Sequence, residues 1–294
     1  MNTKNRFLNY SVYTQEKPFS FAKNSSIGCG GEAEIAFCPR SVSELTSLIK
    51  DLKQDGINYY VLGNLTNVLP PDEGTIRAVI RTKNLNGILF TDSGAFVYAG
   101  ATSGTFLNAC ARENKSGGEF LYGVPCTLGG ALYMNAGADG RYIDEIVENV
   151  LVYRCGKLKT LRKEDCGYSY KRSVFMENED VILGASLRLK QSDKEKIKST
   201  QRYYAERRKH LPKGRSMGCV FKNPEGKSAG ALIEGSGFKG MRFGGAKVSE
   251  EHANFIINEG GATAREIRSL ITVVKNGVEA QYGIRLEEEI RYLE

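Results

Sequence analysis

Gly-Val-Pro-Cys-Thr-Leu-Gly-Gly-Ala-Leu-Tyr-Met-Asn-Ala-Gly-Ala-Asp-Gly, residues 123–140, sets five glycines (123, 129, 130, 137 and 140) among small apolar residues, with Thr127 and Asn135 as its uncharged polar groups. Glycine lets a backbone approach a ligand closely and adopt positive φ. Successive backbone N–H groups in such a loop form a concave anion site. No Gly-Lys-Ser/Thr follows, so the stretch is not a nucleoside-triphosphate P-loop, and its spacing is not that of the Rossmann fingerprint. Two readings stand: a backbone cradle for a phosphate-bearing or flat ligand, and tight turns between buried strands.

The rest of the composition narrows the class. A chain of 294 residues suggests one to three domains with ample core. Its 33 glycines cluster near 28–31, 117–140 and 226–245. The seven cysteines (29, 38, 110, 126, 155, 166 and 219) are odd in number and form no Cys-x-x-Cys, which argues against a disulfide framework or a zinc site and for reduced, mostly buried thiols. With two histidines, His210 and His252, a histidine-based triad or metal site is not expected. No apolar run approaches membrane-spanning length. Met1–Tyr10 is polar and has no apolar signal core, so a cytoplasmic location without membrane contact is the expectation. The net charge of +7 lies partly in 202–215, a segment that reads as a solvated helix face. A nucleic-acid contact and a funnel for a small anionic substrate are the alternatives.

Periodicity places the elements. Residues 33–39 form a strand ended by Pro39. Ser41 and Glu44 fit a capping box, Leu45, Leu48, Ile49 and Leu52 share one helical face, Gly56 is a stop, and Ile57–Leu62 is a second strand. The turn Gly63-Asn64-Leu65-Thr66-Asn67 follows at the carboxyl end of that strand, where α/β proteins bind ligands. Strands are expected at 76–81, 95–100 and 181–189, a helix at about 103–114 with Phe106, Leu107, Cys110 and Ala111 inward, and a hairpin at 145–161 turning at Gly156-Lys157. A charged helix over 192–213 acts as a connector to a strand at 219–222, a short helix at 228–234 and a strand at 252–257. Thr263 and Glu266 open the clearest helix, with Ile267, Leu270, Ile271, Val274 and Val278 on one face and Gly283 beyond its end. The final stretch, 284–293, alternates: Ile284, Leu286, Ile290 and Tyr292 on one face, Arg285, Glu287, Glu289, Arg291 and Leu293 on the other. A strand there sets Glu289 and Arg291 on one side, about 7 Å apart.

Several motifs now fall in an ordered set: Gly-Gly-x-Ala at 30–33, Gly-Asn-x-Thr-Asn at 63–67, the glycine-rich stretch, Tyr-x-x-Ser at 170–173, Gly-Cys-Val-Phe-Lys-Asn-Pro at 218–224, Gly-Gly-Ala-Lys-Val-Ser at 244–249, His-Ala-Asn-Phe-Ile-Ile-Asn at 252–258 and Leu-Glu-x-Glu-Ile-Arg at 286–291. Together, from about residue 20 to 294, the chain resembles the UDP-N-acetylenolpyruvoylglucosamine reductase family, in the short form without an inserted loop in the substrate domain. The resemblance implies an α+β fold: two FAD-binding subdomains of the vanillyl-alcohol-oxidase (PCMH) type, not a Rossmann fold, plus a C-terminal α+β substrate-binding domain. The implied limits are 1–83 and 84–198 for the FAD-binding subdomains, 199–281 for the substrate domain, and 282–294 for a strand returning to the flavin region. The implied reaction passes hydride from NADPH to FAD and then to an enol-ether double bond conjugated to a carboxylate, giving UDP-N-acetylmuramate for peptidoglycan. The implied partner is a nucleotide-sugar, with no nucleic acid and no metal, bound by a monomer. A non-catalytic or divergent flavin-binding paralogue is the alternative.

The resemblance also assigns residues. FAD falls to Gly63, Asn64, Leu65, Thr66 and Asn67 in the pyrophosphate turn and to Gly123, Pro125, Cys126, Thr127, Gly129, Gly130, Asn135, Ala136 and Gly137 in the glycine-rich stretch. Hydride addition drives charge onto the substrate carboxylate, which needs a preorganised positive pocket and a proton donor for the adjacent carbon. Cys219 stands where the family has a serine donor; a thiol with a pKa of about 8.5 is the better acid and stays mostly protonated at neutral pH. Glu289 matches the family's catalytic glutamate, with Arg291 beside it. The family's Tyr-Arg-x-Ser is here Tyr170-Lys171-Arg172-Ser173, which puts Lys171 in the arginine slot. Lysine keeps the charge and loses the bidentate fork. Arg172 is the rival, pointing the other way if the segment is extended. Tyr170, Lys209, Lys222, Asn223 and Arg291 are the implied substrate contacts. Leu65 and Cys126 replace usual glycines, and Asp139 a usual tyrosine.

Overall fold

A computed structural model of the chain describes residues 7–73 and 76–294; of the polar N-terminal run, residues 1–6 lie outside the described residues. The chain divides into two compact units: one of residues up to Lys17, Glu34–Asn64 and Arg77–Arg208, the other of Pro18–Ala33, Leu65–Ile76 and Lys209–Glu294.

The first unit holds two sheets. Strands β1 (Gln15–Glu16), β2 (Ile35–Phe37), β3 (Tyr59–Leu62) and β4 (Ala78–Arg81) lie in the order β1-β2-β4-β3, with β2, β4 and β3 parallel. Every residue of β4 is buried, as a central parallel strand covered on both faces requires. Helix α1 (Val42–Gln54) makes the crossover. The Ser41 hydroxyl accepts from the Glu44 N–H at 3.0 Å, while the Glu44 carboxylate accepts from the Arg40 N–H at 2.8 Å, one residue before the cap. Its Leu45, Leu48, Ile49 and Leu52 share a core with Ile35, Phe37 and Ile80. Strands β5 (Ile88–Phe90), β6 (Gly94–Tyr98), β7 (Val147–Arg154), β8 (Lys157–Arg162) and β9 (Val181–Arg188) form an antiparallel sheet in the order β8-β7-β9-β6-β5. Val181 and Leu183 of β9 face the first core, and Ile182, Ala185 and Leu187 a second one. The β7–β8 hairpin pairs Arg154 with Lys157, so its turn is Cys155-Gly156, one residue earlier than expected. Both take positive φ, 48° and 79°, the geometry of a type I′ turn.

Helix α2 (Ser103–Arg112) buries Phe106, Leu107, Ala109 and Cys110, while Ala111 is half-buried. Helix α3 (Leu128–Met134) carries the centre of the glycine-rich stretch. Helix α4 (Lys194–Arg207) is shorter than its charge pattern suggests and ends before Pro212, burying Ile197 and Tyr204.

The second unit packs α5 (Ala229–Gly235), the antiparallel sheet of β10 (Arg242–Phe243), β11 (Ala246–Val248) and β12 (Ile256–Asn258), and α6 (Ala264–Tyr282) around one core. The capping box is complete: the Thr263 hydroxyl accepts from the Glu266 N–H at 3.1 Å and the Glu266 carboxylate from the Thr263 N–H at 3.0 Å. The Asp72 carboxylate accepts from two further first-turn amides, Ala264 at 2.6 Å and Arg265 at 2.9 Å. Ile267, Leu270, Ile271, Val274 and Val278 are buried as the periodicity requires, and Gly283 closes the helix at φ 66°.

Three expected strands differ. Residues 219–222 join no ladder and make only isolated bridges, Cys219 with Phe255 and Phe221 with Glu288. The strand expected at 252–257 begins at Ile256, because a Phe255 N–H to His252 C=O bond of 3.0 Å turns the chain just before it. Of 284–293, only Arg291–Tyr292 is strand, paired in parallel with Val68–Leu69. Leu286 and Ile290 are buried as expected, but Leu293, read onto the polar face, is 4% exposed. Strict alternation holds only where a ladder fixes the register.

Candidate active site

In the first unit the glycine-rich stretch changes character at Thr127, whose hydroxyl caps α3 by accepting from the Gly130 N–H at 3.3 Å. The Leu128 and Gly129 N–H groups bond to the carbonyls of Ala101 and Ala99, each at 2.8 Å. The amides at 128–130 are therefore engaged by the protein, and this turn is no cradle of open N–H groups. Gly129 serves close packing instead, as does Gly63 in the 63–67 turn. A Cβ on Gly129 would lie 3.0 Å from the Ala99 Cβ, and one on Gly63 2.2 Å from the Thr127 Oγ1. Gly137 pairs with Tyr142, and Asn135 (φ 43°) ends α3, donating to the Ser169 carbonyl at 2.9 Å and accepting from the Asp144 N–H at 3.2 Å. The Ala136 amide bonds the Ala131 carbonyl at 2.8 Å.

Residues 123–126 line open space. A cavity of about 430 Å³ is walled by Asn64, Thr102, Ser103, Tyr122, Gly123, Pro125 and Cys126, among others, none of them charged. The Asn64 amide reaches the Pro125 carbonyl at 3.5 Å, and the buried Arg81 holds the Gly63 carbonyl at 3.2 Å. Burial pushes the Cys126 thiol up to about 11, so this wall stays neutral near pH 7. A cavity of this size lies within the range of small-molecule sites.

The Tyr170–Ser173 segment is a tight turn, not an extended one. Ser169 and Arg172 exchange backbone hydrogen bonds of 3.2 and 3.1 Å, with Lys171 at φ 54°. Arg172 lies over the Glu177 carboxylate, its Nε at 3.0 Å. Tyr170 is 42% exposed and meets Tyr142 edge-on at 6.1 Å. Asp139 accepts from Arg207 at 2.6 Å.

In the second unit, Leu65 holds φ 52° while only 3% exposed, and its carbonyl accepts from the Ser26 N–H at 3.2 Å. A leucine thus adopts the left-handed angle a glycine would take there. Thr66 is half-buried. Asn67, the end of that turn, donates its amide to the Glu289 carbonyl at 3.1 Å, and its own carbonyl accepts from the Arg291 N–H at 2.9 Å.

The segments carrying Cys219 and Glu289 lie side by side. The Glu289 N–H donates to the Val220 carbonyl at 2.7 Å, and the Lys222 N–H to the Glu287 carbonyl at 2.8 Å. Lys222 Nζ meets the Glu287 carboxylate at 2.5 Å. The Asn223 side chain accepts from the Ala229 N–H at 2.9 Å, tying the Lys-Asn-Pro stretch to the start of α5. Lys209 and Arg291 are exposed. Two features had no assigned role in the sequence reading. One is Asn254, buried beside Phe221, signalled only as a polar residue inside an apolar run. The other is a half-buried network in which the Glu288 carboxylate takes Lys275 Nζ and the Tyr292 hydroxyl, each at 2.6 Å, with Arg268 over the Tyr292 ring at 4.3 Å.

Among the described residues no group of His, Cys, Asp and Glu is placed to hold a metal ion, and no helix is long and apolar enough to cross a membrane. The seven cysteines form no disulfide: Cys29, Cys38, Cys110 and Cys166 are buried, Cys126 and Cys219 half-buried and Cys155 exposed.

Comparison with known proteins gives the class and then the family. A family model described as FAD binding domain matches residues 33–158, and one described as UDP-N-acetylenolpyruvoylglucosamine reductase, C-terminal domain, matches 209–293. The BBE-like 1 protein of Physcomitrella patens, 13% identical, shares the fold alone, with a TM-score of 0.50 over 65% of this chain and 45% of that one. The chain is thus an α+β flavoprotein with a PCMH-type FAD-binding fold and a C-terminal α+β domain. The UDP-N-acetylenolpyruvoylglucosamine reductase of Clostridioides difficile is 37% identical, across 92% of this chain and 90% of that protein. The enzyme of the same name from Caldanaerobacter subterraneus is 36% identical, again across 92% and 90%. The crystal structure of the Thermus caldophilus reductase aligns with a TM-score of 0.82 and 31% identity, covering 96% of this chain and 99% of that one. The chain belongs to the UDP-N-acetylenolpyruvoylglucosamine reductase family.

Proposed function

We propose that Cys219, Glu289 and Lys171 carry the reduction of UDP-N-acetylenolpyruvoylglucosamine to UDP-N-acetylmuramate in this chain, an FAD- and NADPH-dependent oxidoreductase of peptidoglycan precursor synthesis. Bound FAD supplies the hydride chemistry, relaying the reducing equivalent of NADPH to the enol-ether double bond. The protein supplies position, charge and a proton. In this reading the Cys219 S–H delivers its proton to the carbon next to the hydride acceptor, Glu289 orients the developing carboxylate dianion, and Lys171 offsets its charge. The supporting observation is the 2.7 Å bond from the Glu289 N–H to the Val220 carbonyl, which holds the carboxylate-bearing and thiol-bearing segments adjacent.

The cofactor residues of this reading are Gly63–Asn67, Gly123, Pro125, Cys126, Thr127, Gly129, Gly130, Asn135, Ala136 and Gly137, with the cavity at Asn64, Gly123, Pro125 and Cys126 taking part of FAD. Tyr170, Lys209, Lys222, Asn223 and Arg291 bind the nucleotide-sugar, Lys209 through its diphosphate. The domain limits that go with it are 1–83, 84–198, 199–281 and 282–294, in a cytoplasmic monomer. Single-turnover reoxidation of the reduced flavin by substrate tests the proton donor. Cys219→Ala should slow it about 10²-fold or more while Cys219→Ser keeps much of the rate. An alanine variant that reoxidises as fast as the wild type defeats the assignment.

A further inference from the structure

We propose that Asn254 is a positioning residue for the reduction step: its side-chain amide stands in for a missing neighbouring strand and sets the Cys219–Phe221 backbone, and with it the thiol, against the Glu289 segment. The inference rests on the reading of Cys219 and Glu289 given above.

Residues 219–222 run between two supports. On one edge are the Glu289 N–H on the Val220 carbonyl (2.7 Å) and the Lys222 N–H on the Glu287 carbonyl (2.8 Å). On the other edge a ladder would need an extended partner at 252–255, but the Phe255 N–H to His252 C=O bond of 3.0 Å turns that segment. Beyond the isolated Cys219–Phe255 bridge, the ladder is replaced from Asn254. Its carbonyl accepts from the Val220 N–H at 2.8 Å, its Oδ1 accepts from the Phe221 N–H at 2.9 Å, and its Nδ2 donates to the Phe221 carbonyl at 2.8 Å. A carboxamide has the acceptor and donor of a peptide group, so one side chain satisfies both backbone groups of Phe221. The geometry is enforced by burial. Asn254 is 3% exposed and Phe221 2%, so neither backbone group has water to turn to if the amide is lost. The Asn254 N–H is itself held by His252 Nδ1 at 3.2 Å. Phe221 lies two residues from Cys219, so relaxation of its peptide moves the thiol. A misplacement of about 1 Å at a reacting group costs on the order of a hundredfold in rate.

The test uses the FAD-loaded full chain with Asn254→Ala and Asn254→Asp, following two half-reactions anaerobically: flavin reduction by NADPH, and reoxidation of reduced flavin by UDP-N-acetylenolpyruvoylglucosamine. Reoxidation should fall about tenfold or more in both variants, while reduction by NADPH and the half-saturating substrate concentration stay within about threefold of wild type. Reoxidation at the wild-type rate in either variant, or an equal fall in both half-reactions, overturns the proposal. If neither variant folds, amide exchange in the wild type decides: a Phe221 N–H protected as strongly as those of β12 supports the latch, and one exchanging like an exposed loop sinks it. A wild-type protein that NADPH reduces but substrate does not reoxidise refutes the reading of the pair, a different outcome from a latch without effect.

Discussion

Leu65 and Lys171 occupy backbone angles that favour glycine, φ 52° and 54°, and both stand at positions where the chain departs from its family's pattern. The left-handed region costs a non-glycine residue about 1–2 kcal/mol. At Leu65 that strain is set against burial. The side chain is 3% exposed, and removing a buried leucine costs about 2–5 kcal/mol. Burial wins, so Leu65→Gly should lower stability by about 1–3 kcal/mol despite relieving the strain. Denaturant unfolding checks this; a more stable variant would mean that strain dominates. The residue identities of the proposed site were legible because motif order carries them. The tight turn at Tyr170-Lys171 was not, because nothing local marks lysine for a positive φ.

At the scale of elements, the starts of α1 and α6 read well, the helix within the glycine-rich stretch went unread, and the last segment read poorly. Ser41, Thr102, Thr127, Ser228 and Thr263 each accept an N–H of the helix that follows, and these are contacts between residues three apart. Asp72 reaches the start of α6 from 192 positions away, which no local pattern announces. The terminal segment takes its place from side chains as much as from a ladder. Burial works against a charged Glu288, but the Lys275 ammonium and the Tyr292 hydroxyl outweigh it and hold the carboxyl below its ordinary range. A depressed folded pKa adds stability above the unfolded value of about 4.3, and that stability is lost as pH falls through the folded value. Glu288→Gln should therefore be less stable than wild type by about 1 kcal/mol at pH 7, after discounting for solvent screening, with the gap closing as pH falls through the folded value. Thermal unfolding across that range checks the sign; a gap that persists unchanged into acid rules out the ion pair as its source.

At the scale of the whole chain, the first unit closes on two apolar cores and the second on one. FAD binds the folded chain, so its occupancy should stabilise the folded state by mass action. With free FAD at about a hundred times its Kd, the gain is about 2.7 kcal/mol over protein stripped of cofactor. Calorimetry with and without added FAD, on protein whose yellow colour has first been removed, measures this. An unfolding midpoint indifferent to FAD contradicts the cofactor assignment.

The sequence alone determined the capped starts and buried faces of α1 and α6 and the flavin class, because each is written in residues close along the chain or in motifs read in order. Tertiary structure alone decided that the amides at 128–130 are taken by Ala99, Ala101 and Thr127, that 284–290 runs without a ladder, and that Asn254 serves as half a strand beside Phe221. Hydrogen bonds between distant segments choose among partners that only folding brings within 3 Å, and no spacing along the chain records that choice.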